Sequence, residues 1–181
     1  MSFSNIYFIL HKPQLSENIG ACARALKNFN FRNLILINPK VSFPNDKILA
    51  TSVGAKDVVK KSKIFEKLEP ALKKIDYLIA TTSRFRNKNI KHINIKDLSK
   101  IDFNKNIGFL FGSEASGLSN EEISYANCVL QIPTNPKFKS LNLSHSLIII
   151  CQLVASILSS KTSQYSKSNK IKIASKGDIQ A

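Results

Sequence analysis

Short apolar runs alternate with a helix-like segment in the first 40 residues, and this alternation limits the possible folds more than any other feature. Residues 5–11 (NIYFILH) and 33–38 (NLILIN) are apolar runs bounded by polar residues and proline, as in strands buried on both faces. A strand, a helix and a strand in this order form a βαβ unit, which predicts an α/β fold with a mostly parallel sheet flanked by helices. The helix is predicted from apolar residues at helical spacing, namely Ile19, Cys22, Ala23, Leu26 and Phe29.

Both ends of this helix carry sequence signals. Either Ser16 or Asn18 can cap its N-terminus through a side-chain oxygen. Asn30 follows the helix where a left-handed residue belongs, and asparagine tolerates that conformation better than most residues except glycine. We therefore expect the helix to end just before Asn30.

The same pattern continues along the chain and fills one domain, which we place at residues 1–159. Ser119 and Glu122 have the spacing of a capping box, which predicts a helix that begins there. Residues 160–181 are rich in lysine and serine and poor in core-forming side chains, so we expect a flexible tail. Further strands are predicted at 76–81, 107–111 and 129–132, and further helices at 46–56, 64–74 and 144–159.

The charge balance favours a polyanionic partner. The chain has 27 Lys plus Arg against 12 Asp plus Glu, a formal net charge of +15. Nucleic acid is the first candidate for such a chain. Two alternatives stay open, because a biased genome can enrich lysine and an anionic membrane surface also attracts it.

The remaining composition signals concern the compartment. The N-terminus has neither a basic region nor a small-residue cleavage site, and no unbroken apolar run approaches the roughly 18 residues of a membrane span. Cys22, Cys128 and Cys151 are odd in number and far apart, which suits reduced thiols better than a disulfide framework or a zinc site. We therefore expect a cytoplasmic protein with no membrane segment and no metal.

Ligands of open α/β sheets bind beyond the carboxyl ends of the strands, so a site is expected in the loops that leave them. In Gly112–Gly117 (GSEASG), the glycines let the backbone approach a ligand closely, and its N–H groups can act as donors. On spacing alone, the alternative that both glycines are ordinary turn residues is the more common one. The other candidate loops are His11–Gly20, Thr81–Lys91 and the stretch IPTNPKFKSLNLS.

The second candidate loop contains a basic stretch, TTSRFRNKNIKH at residues 81–92. Arg84, Arg86 and Lys88 surround Phe85, a combination that suits phosphate contact and base stacking. A solvated basic loop is the alternative interpretation. We predict that the three cations bind RNA.

Several common catalytic motifs are absent from the sequence. The lack of GxGxxG and of GxxxxGK[ST] argues against a Rossmann dehydrogenase and a P-loop NTPase. HExxH, CxxC and GxSxG are also missing, so a small-molecule hydrolase would have no recognisable nucleophile and base. His11, at the end of the first strand, can meet a phosphate or be satisfied within the fold, and the second is more common.

Three segments together resemble a known family. NIGACAR (Asn18–Arg24), FGSEASGL (Phe111–Leu118) and IPTNPKFKSLNLS (Ile132–Ser144) are similar, in this order and spacing, to the three motifs of the SpoU branch of the SPOUT RNA 2′-O-ribose methyltransferases. The resemblance extends from residue 5 to about residue 158, and the motifs are specific as a set. The third segment and TTSRFR look most like members that modify the ribose of cytidine or uridine 32 in the tRNA anticodon loop.

This resemblance implies an α/β domain whose C-terminal part forms a deep trefoil knot, a pocket for S-adenosylmethionine (AdoMet) in that knot, and a homodimer with sites near the subunit interface. It implies that Asn18 and Arg24 face the target ribose and that Glu114 orients the first motif through Asn18 or Arg24. Asn142 would close the site. The AdoMet pocket would contain Thr81, Thr82, Ser83, Gly112, Ile132, Ser140 and Leu141.

The chemistry that the resemblance implies requires positioning more than a strong base. The methyl group is activated by the positive sulfur, so in-line alignment with the ribose 2′-OH supplies much of the rate. A free guanidinium stays protonated and is a poor base. We therefore expect Arg24 to stabilise the developing alkoxide and to hold an RNA phosphate.

The sequence as a whole predicts an AdoMet-dependent RNA 2′-O-ribose methyltransferase that acts on tRNA. One alternative is an rRNA 2′-O-methyltransferase of the same fold, and another is a non-catalytic RNA-binding protein that keeps the fold and the charge. The set Asn18, Arg24, Glu114 and Asn142 favours the enzyme, because a protein that only binds RNA does not need it. The chain departs from the family pattern at Ser113, where tRNA-acting members often carry arginine.

Overall fold

The computed structural model describes residues 3–83 and 90–162, and a seven-stranded sheet forms its centre. The strands are β1 (Ile6–His11), β2 (Asn33–Ile37), β3 (Lys63–Phe65), β4 (Tyr77–Thr81), β5 (His92–Asn94), β6 (Ile107–Phe111) and β7 (Cys128–Gln131). Their order is β3-β2-β1-β6-β4-β7-β5. Each pairing between neighbouring strands in the described part of the chain is parallel, which confirms the predicted sheet.

Helices cover both faces of this sheet. They are α1 (Ser16–Asn28), α2 (Asp46–Thr51), α3 (Lys56–Lys61), α4 (Leu68–Leu72), α5 (Asn120–Ser124) and α6 (Leu143–Thr162), with a 3₁₀ helix at Ile95–Lys100. Side chains of α1, α2, α3 and α6 share one core cluster with the sheet, and those of α4 and α5 share the other. Alternate residues of β1 serve the two faces, with Phe8 and Leu10 in the first cluster and Ile9 in the second.

The predicted βαβ unit is present as β1, α1 and β2, and its helix ends as predicted. Asn30 adopts φ 63°, and its N–H donates to the Lys27 carbonyl at 3.1 Å. The predicted N-cap was wrong. Leu15 occupies that position with no side-chain cap hydrogen bond, and Ser16 and Asn18 lie inside the helix. A carboxylate from a distant loop takes over the capping role, as described below.

Two predicted helices differ from the structure. The segment 46–56 is interrupted, because the chain turns between α2 and α3 at Ser52–Ala55, where Gly54 has φ +75°. The segment 64–74 does not begin as a helix. Lys63–Phe65 forms β3, which pairs with β2 at the edge of the sheet, and the helix starts only at Leu68. Edge pairing of so short a segment leaves no clear signal in the sequence, because Lys63 and Ile64 are exposed.

The last described helix packs into the core, as its periodicity predicted. Leu147, Ile150, Cys151 and Val154 of α6 are fully buried, and the helix contacts α1. Residues 160–162, predicted as part of the tail, are helical, and 163–181 lie outside the described residues. By length and composition, Leu143–Ser160 could also cross a membrane, although core helices pass the same test.

Candidate functional site

A pocket lies at the carboxyl edge of the sheet, among the loops that leave β4, β6 and β7. These strands are close neighbours in the sheet, so their ends meet although they are far apart in sequence. Glu114 and Lys139 alone carry charge among the described residues that line the pocket. Each of the seven residues predicted to hold a cofactor lies in its wall: Thr81, Thr82, Ser83, Gly112, Ile132, Ser140 and Leu141.

The turn after β6 forms one wall, and two glycines make it possible for different reasons. Gly117 has φ +66°, and its N–H donates to the Ser113 carbonyl at 2.9 Å, which closes the turn. A Cβ atom on Gly112 would overlap the backbone of Gly117 and Leu118. The wall is therefore backbone packed on backbone, which a side chain at residue 112 would push apart.

Glu114 joins this turn to the loop after β1. Its Oε2 accepts a hydrogen bond from the Gln14 N–H at 2.9 Å, and its Oε1 accepts from the Leu15 N–H at 3.2 Å and from Asn18 Nδ2 at 2.9 Å. Because Leu15 precedes the first turn of α1, the carboxylate serves as a cap from another part of the chain, where negative charge is favourable. The predicted contact with Asn18 is present, and no hydrogen bond among the described residues joins Glu114 to Arg24.

Asn142 extends this network to α6. Its Nδ2 donates to Asn18 Oδ1 at 3.0 Å, while its Oδ1 accepts from the N–H groups of Ser144 at 2.8 Å and His145 at 3.3 Å. Asn142 thus both caps α6 and orients Asn18. Asn18, only 7% exposed, keeps one N–H and one oxygen lone pair for a further partner.

The structure does not bring Arg24 to this network. Arg24 is exposed on α1, and it lies six residues beyond Asn18, which is about 9 Å along the axis and about 120° around it. Arg24 is also not among the residues that line the pocket. Three of the four predicted catalytic residues therefore lie together within one chain, and Arg24 lies apart.

The wall from β4 is fixed by its neighbours on both sides. The Thr81 hydroxyl donates to the Leu110 carbonyl of β6 at 3.0 Å, and the Thr82 N–H donates to the Leu130 carbonyl of β7 at 3.3 Å. These contacts hold the start of the loop rigidly against the pocket. The predicted RNA-binding residues Arg84, Arg86 and Lys88 follow in this loop and lie outside the described residues.

A buried histidine, His11, supports the same edge, and no pattern in the sequence indicated its pairing with Glu122. His11 is 6% exposed, and its Nδ1 lies 3.1 Å from Glu122 Oε1, which also accepts from Lys12 Nζ at 3.1 Å. Burial lowers the pKa of His11 more than the nearby Glu122 carboxylate raises it. The histidine is therefore neutral near pH 7, donating Nδ1–H to Glu122, and is satisfied within the fold.

Glu122 has a second function in the predicted capping box. The Ser119 side chain accepts from the Glu122 N–H at 3.2 Å, and Glu122 Oε2 accepts from the Ser119 N–H at 2.8 Å, as predicted. Burial raises the pKa of Glu122. The Ser119 N–H, Lys12 and His11 together lower this pKa by more than burial raises it, so the net shift is downward. One carboxylate therefore connects β1 to the start of α5.

Comparison with known proteins defines the class to which this arrangement belongs. The chain belongs to the SpoU rRNA Methylase family, whose model matches residues 5–152. That match covers all three sequence segments that form the pocket and its hydrogen-bond network.

Individual relatives carry more specific names. The chain is 34% identical over 150 residues to the tRNA (cytidine-2′-O-)-methyltransferase TrmJ of Methanocaldococcus jannaschii, covering 80% of this chain and 65% of that protein. It is 33% identical over 150 residues to the tRNA (cytidine/uridine-2′-O-)-methyltransferase TrmJ of Photorhabdus laumondii, covering 81% of this chain and 62% of that one. The chain thus spans somewhat less than two thirds of the length of these relatives.

A solved structure confirms the fold. The crystal structure of TrmJ from Z. mobilis ZM4 matches 82% of this chain and 67% of its own, with a TM-score of 0.77 and 30% sequence identity. The fold predicted from the family resemblance is therefore present. The trefoil knot stays a prediction.

Proposed function

We propose that this chain is an AdoMet-dependent RNA 2′-O-ribose methyltransferase that acts on tRNA, at the ribose of cytidine or uridine 32 in the anticodon loop. The observation that carries the proposal is the pocket in which all seven predicted cofactor residues meet beside the network of Glu114, Asn18 and Asn142. The family match and the names of the tRNA-methylating relatives support it.

The residues present fit AdoMet. Gly112 has no room for a Cβ, so backbone lines the pocket at that point, and the hydroxyls of Thr82, Ser83 and Ser140 are polar groups without charge. When bound, AdoMet supplies a methyl group that its positively charged sulfur makes electrophilic. In this proposal Thr81, Thr82, Ser83, Gly112, Ile132, Ser140 and Leu141 hold the cofactor. No cationic side chain is needed to hold it, because the sulfonium itself is positive.

The network beside the pocket positions the target ribose. Glu114 and Asn142 fix both ends of the Asn18 amide, so its remaining N–H and lone pair have a defined direction toward a hydroxyl. Such fixed geometry is the form of catalysis that an already activated methyl group needs. Asn18 acts on the substrate in this scheme, and Glu114 and Asn142 position it.

Arg24 completes the site from a second copy of the chain. It is exposed and too far around α1 to join its own network, so a homodimer is the arrangement in which all four predicted residues can meet. Two exposed apolar side chains support a covered surface near the network, Leu15 before α1 at 50% exposure and Ile148 on α6 at 36%. In this arrangement Arg24 stabilises the developing alkoxide and holds an RNA phosphate, and the 2′-OH proton leaves to that phosphate or to water.

The same proposal places the protein in the cytoplasm and gives it no membrane partner. Leu147, Ile150, Cys151 and Val154 of α6 are buried in the core, and a tRNA substrate is found in the cytoplasm. The charge of +15 supports a nucleic-acid partner over an acidic small molecule.

The test is methyl transfer from labelled AdoMet to bulk tRNA and, separately, to rRNA, followed by nuclease mapping of the product. We expect label in a tRNA ribose with the wild type and a loss of label with Arg24→Ala. Label in rRNA alone would favour the rRNA enzyme. AdoMet affinity is measured in parallel by calorimetry. Absence of AdoMet binding would overturn the proposal of an enzyme and would leave the alternative of a non-catalytic RNA-binding protein.

A further inference from the structure

A single aromatic side chain stands out on the rim of the pocket. Phe138 is 76% exposed, the largest exposed fraction of any large hydrophobic residue in the described part of the chain. Among the residues that the structure describes, the ring stays largely uncovered, although the hydrophobic effect favours removing such a ring from water. A single exposed apolar residue is common on protein surfaces, so the position and the neighbours of Phe138 decide what its exposure means.

The backbone under Phe138 is well ordered by hydrogen bonds. The Phe138 N–H donates to the Asn135 carbonyl at 2.9 Å, and the Lys137 N–H donates to Asn135 Oδ1 at 3.0 Å. Pro136 occupies the second position of this turn, which its fixed φ favours. The Thr134 hydroxyl donates to the Lys139 carbonyl at 3.3 Å and closes the base of the turn. The ring is thus held outward by a defined turn.

The turn begins and ends at the pocket. Ile132 lines the pocket before the turn, and Lys139 and Ser140 line it afterwards. Phe138 therefore stands at the rim, one residue from the wall of the proposed cofactor site.

The neighbours of Phe138 decide the kind of partner. Lys137 and Lys139, both exposed, flank it on either side. Lysine is depleted from the apolar centre of protein–protein interfaces, because burying its charge is unfavourable. An aromatic ring between two cations instead matches a nucleic acid, in which a base offers a flat face and phosphates lie on both sides.

We propose that Phe138 stacks on an unpaired base of the RNA substrate and, with Lys137 and Lys139 on the neighbouring phosphates, sets the target ribose at the mouth of the pocket. This rests on the proposed function, and it deepens it by assigning the contact with the base of an unpaired nucleotide to one named side chain. A base inside a duplex is stacked on both faces and cannot accept the ring.

The chain contains no tryptophan, which gives the proposal a direct optical test. Phe138→Trp introduces a single indole whose fluorescence reports stacking. The probes are a synthetic RNA hairpin with an unpaired pyrimidine loop and a fully paired duplex of the same length. We expect the hairpin to quench the indole emission strongly and to bind as tightly as it binds the wild type. The duplex should quench little.

Removal of the ring gives the matching loss. With Phe138→Ala the hairpin affinity should fall by about 5- to 100-fold, as for the loss of one base–aromatic stack. The hairpin affinity of Phe138→Leu should fall nearly as far, because leucine keeps apolar area without the flat ring. Val53→Ala, another exposed apolar position at 60% exposure between α2 and α3, should bind like the wild type. AdoMet affinity should be unchanged in all variants, which also shows that they fold.

Two results would overturn the inference. One is a Phe138→Ala variant that binds the hairpin as tightly as the wild type. The other is a Phe138→Ala variant that dissociates in analytical ultracentrifugation, which would make the residue a contact between copies. Hairpin binding that depends on Phe138 without any methyl transfer would retain the inference and overturn the proposed activity instead.

Discussion

Single side chains at the candidate site are selected by their hydrogen-bonding capacity. Glu114 faces three N–H donors, from Gln14, Leu15 and Asn18. A carboxylate offers acceptors alone, whereas an amide of the same size would direct its own N–H₂ at one of these donors. The negative charge also favours the start of α1. Shape alone therefore does not explain glutamate at this position.

Glu114→Gln should lower the free energy of unfolding by about 1–3 kcal/mol, because the glutamine N–H₂ would face one of the N–H donors that Glu114 now accepts from. Urea denaturation followed by circular dichroism measures the change. Glu66→Gln is the matched control, since it removes the same charge from an exposed residue and should leave the midpoint unchanged. Equal midpoints for the two variants would mean that the Glu114 network contributes nothing to stability.

His11 gives a pH dependence of stability whose direction follows from its pKa. The pKa in the folded state lies below the ordinary value of 6.5, so the unfolded chain binds more protons when the pH falls below that value. The stabilisation is therefore complete above about pH 6.5 and is lost as the pH falls through the folded pKa. The lowered pKa of Glu122 acts in the same direction below its ordinary value of 4.5.

We therefore expect the free energy of unfolding to decrease between pH 7 and pH 5, and His11→Gln to flatten that decrease. Urea denaturation at the two pH values measures it. The control is His145→Gln, which makes the same replacement at an exposed histidine. A His11→Gln variant with the wild-type slope would show that another group causes the pH dependence.

At the scale of elements, the turn after β6 distinguishes two demands on glycine. Gly117 and Gly54 both have positive φ with open space where a Cβ would lie, whereas Gly112 is in close contact with the next turn of backbone. The first demand is conformational and the second is steric. Alanine at each position therefore separates the effect of φ from the effect of packing.

Gly117→Ala and Gly54→Ala should each lower the free energy of unfolding by about 1 kcal/mol, the usual cost of a left-handed alanine. Gly54→Ala should leave AdoMet affinity unchanged, because Gly54 lies between α2 and α3, outside the pocket. Gly112→Ala should weaken AdoMet binding by at least 10-fold, because its Cβ must displace the wall. Calorimetry measures the AdoMet affinities, and thermal unfolding measures the changes in stability. Unchanged AdoMet affinity in Gly112→Ala would contradict the steric account.

How much the sequence could predict also differs between elements. The unit β1–α1–β2 and helix α6 were predictable, because each buries a continuous apolar run or face. Strand β3 was not, since Lys63 and Ile64 are exposed and its pairing with β2 depends on tertiary contact. The N-cap of α1 was misplaced because its acceptor is supplied by Glu114, about a hundred residues away. Local propensity does not contain such a partner.

The site itself was predicted through motif resemblance and not through periodicity. The seven predicted cofactor residues come from three separated segments. Only the sheet order, with β4 between β6 and β7, brings these segments together. Resemblance could not show that Asn18 is held from both sides, nor that His11 pairs with Glu122. Those contacts depend on loop geometry at the sheet edge.

At the scale of the whole molecule, the position of Arg24 makes the oligomeric state a testable part of the mechanism. If Arg24 acts in the site of a second copy, two inactive variants can restore each other. Mixed Arg24→Ala and Asn142→Ala chains would form heterodimers in which one site has every residue intact. In an equal mixture with random pairing, about a quarter of all sites should be active.

Methyl transfer to tRNA after subunit exchange measures this recovery. Each variant alone should remain inactive, and a mixture of Arg24→Ala with itself is the control. No recovery, although exchange is demonstrated with tagged chains, would place Arg24 and Asn142 in the site of the same chain. The homodimeric site would then be wrong.

The hydrogen bonds through Asn18 also have a kinetic consequence. Asn18 meets partners 96 and 124 residues away in sequence, so the site is made almost entirely of long-range contacts. Closing such long loops comes at a cost in chain entropy and slows folding. A nascent chain cannot assemble this centre until Asn142 has been synthesised, so the site forms only after these long loops have closed. Ligand present at that moment would favour the finished molecule over every partly folded form.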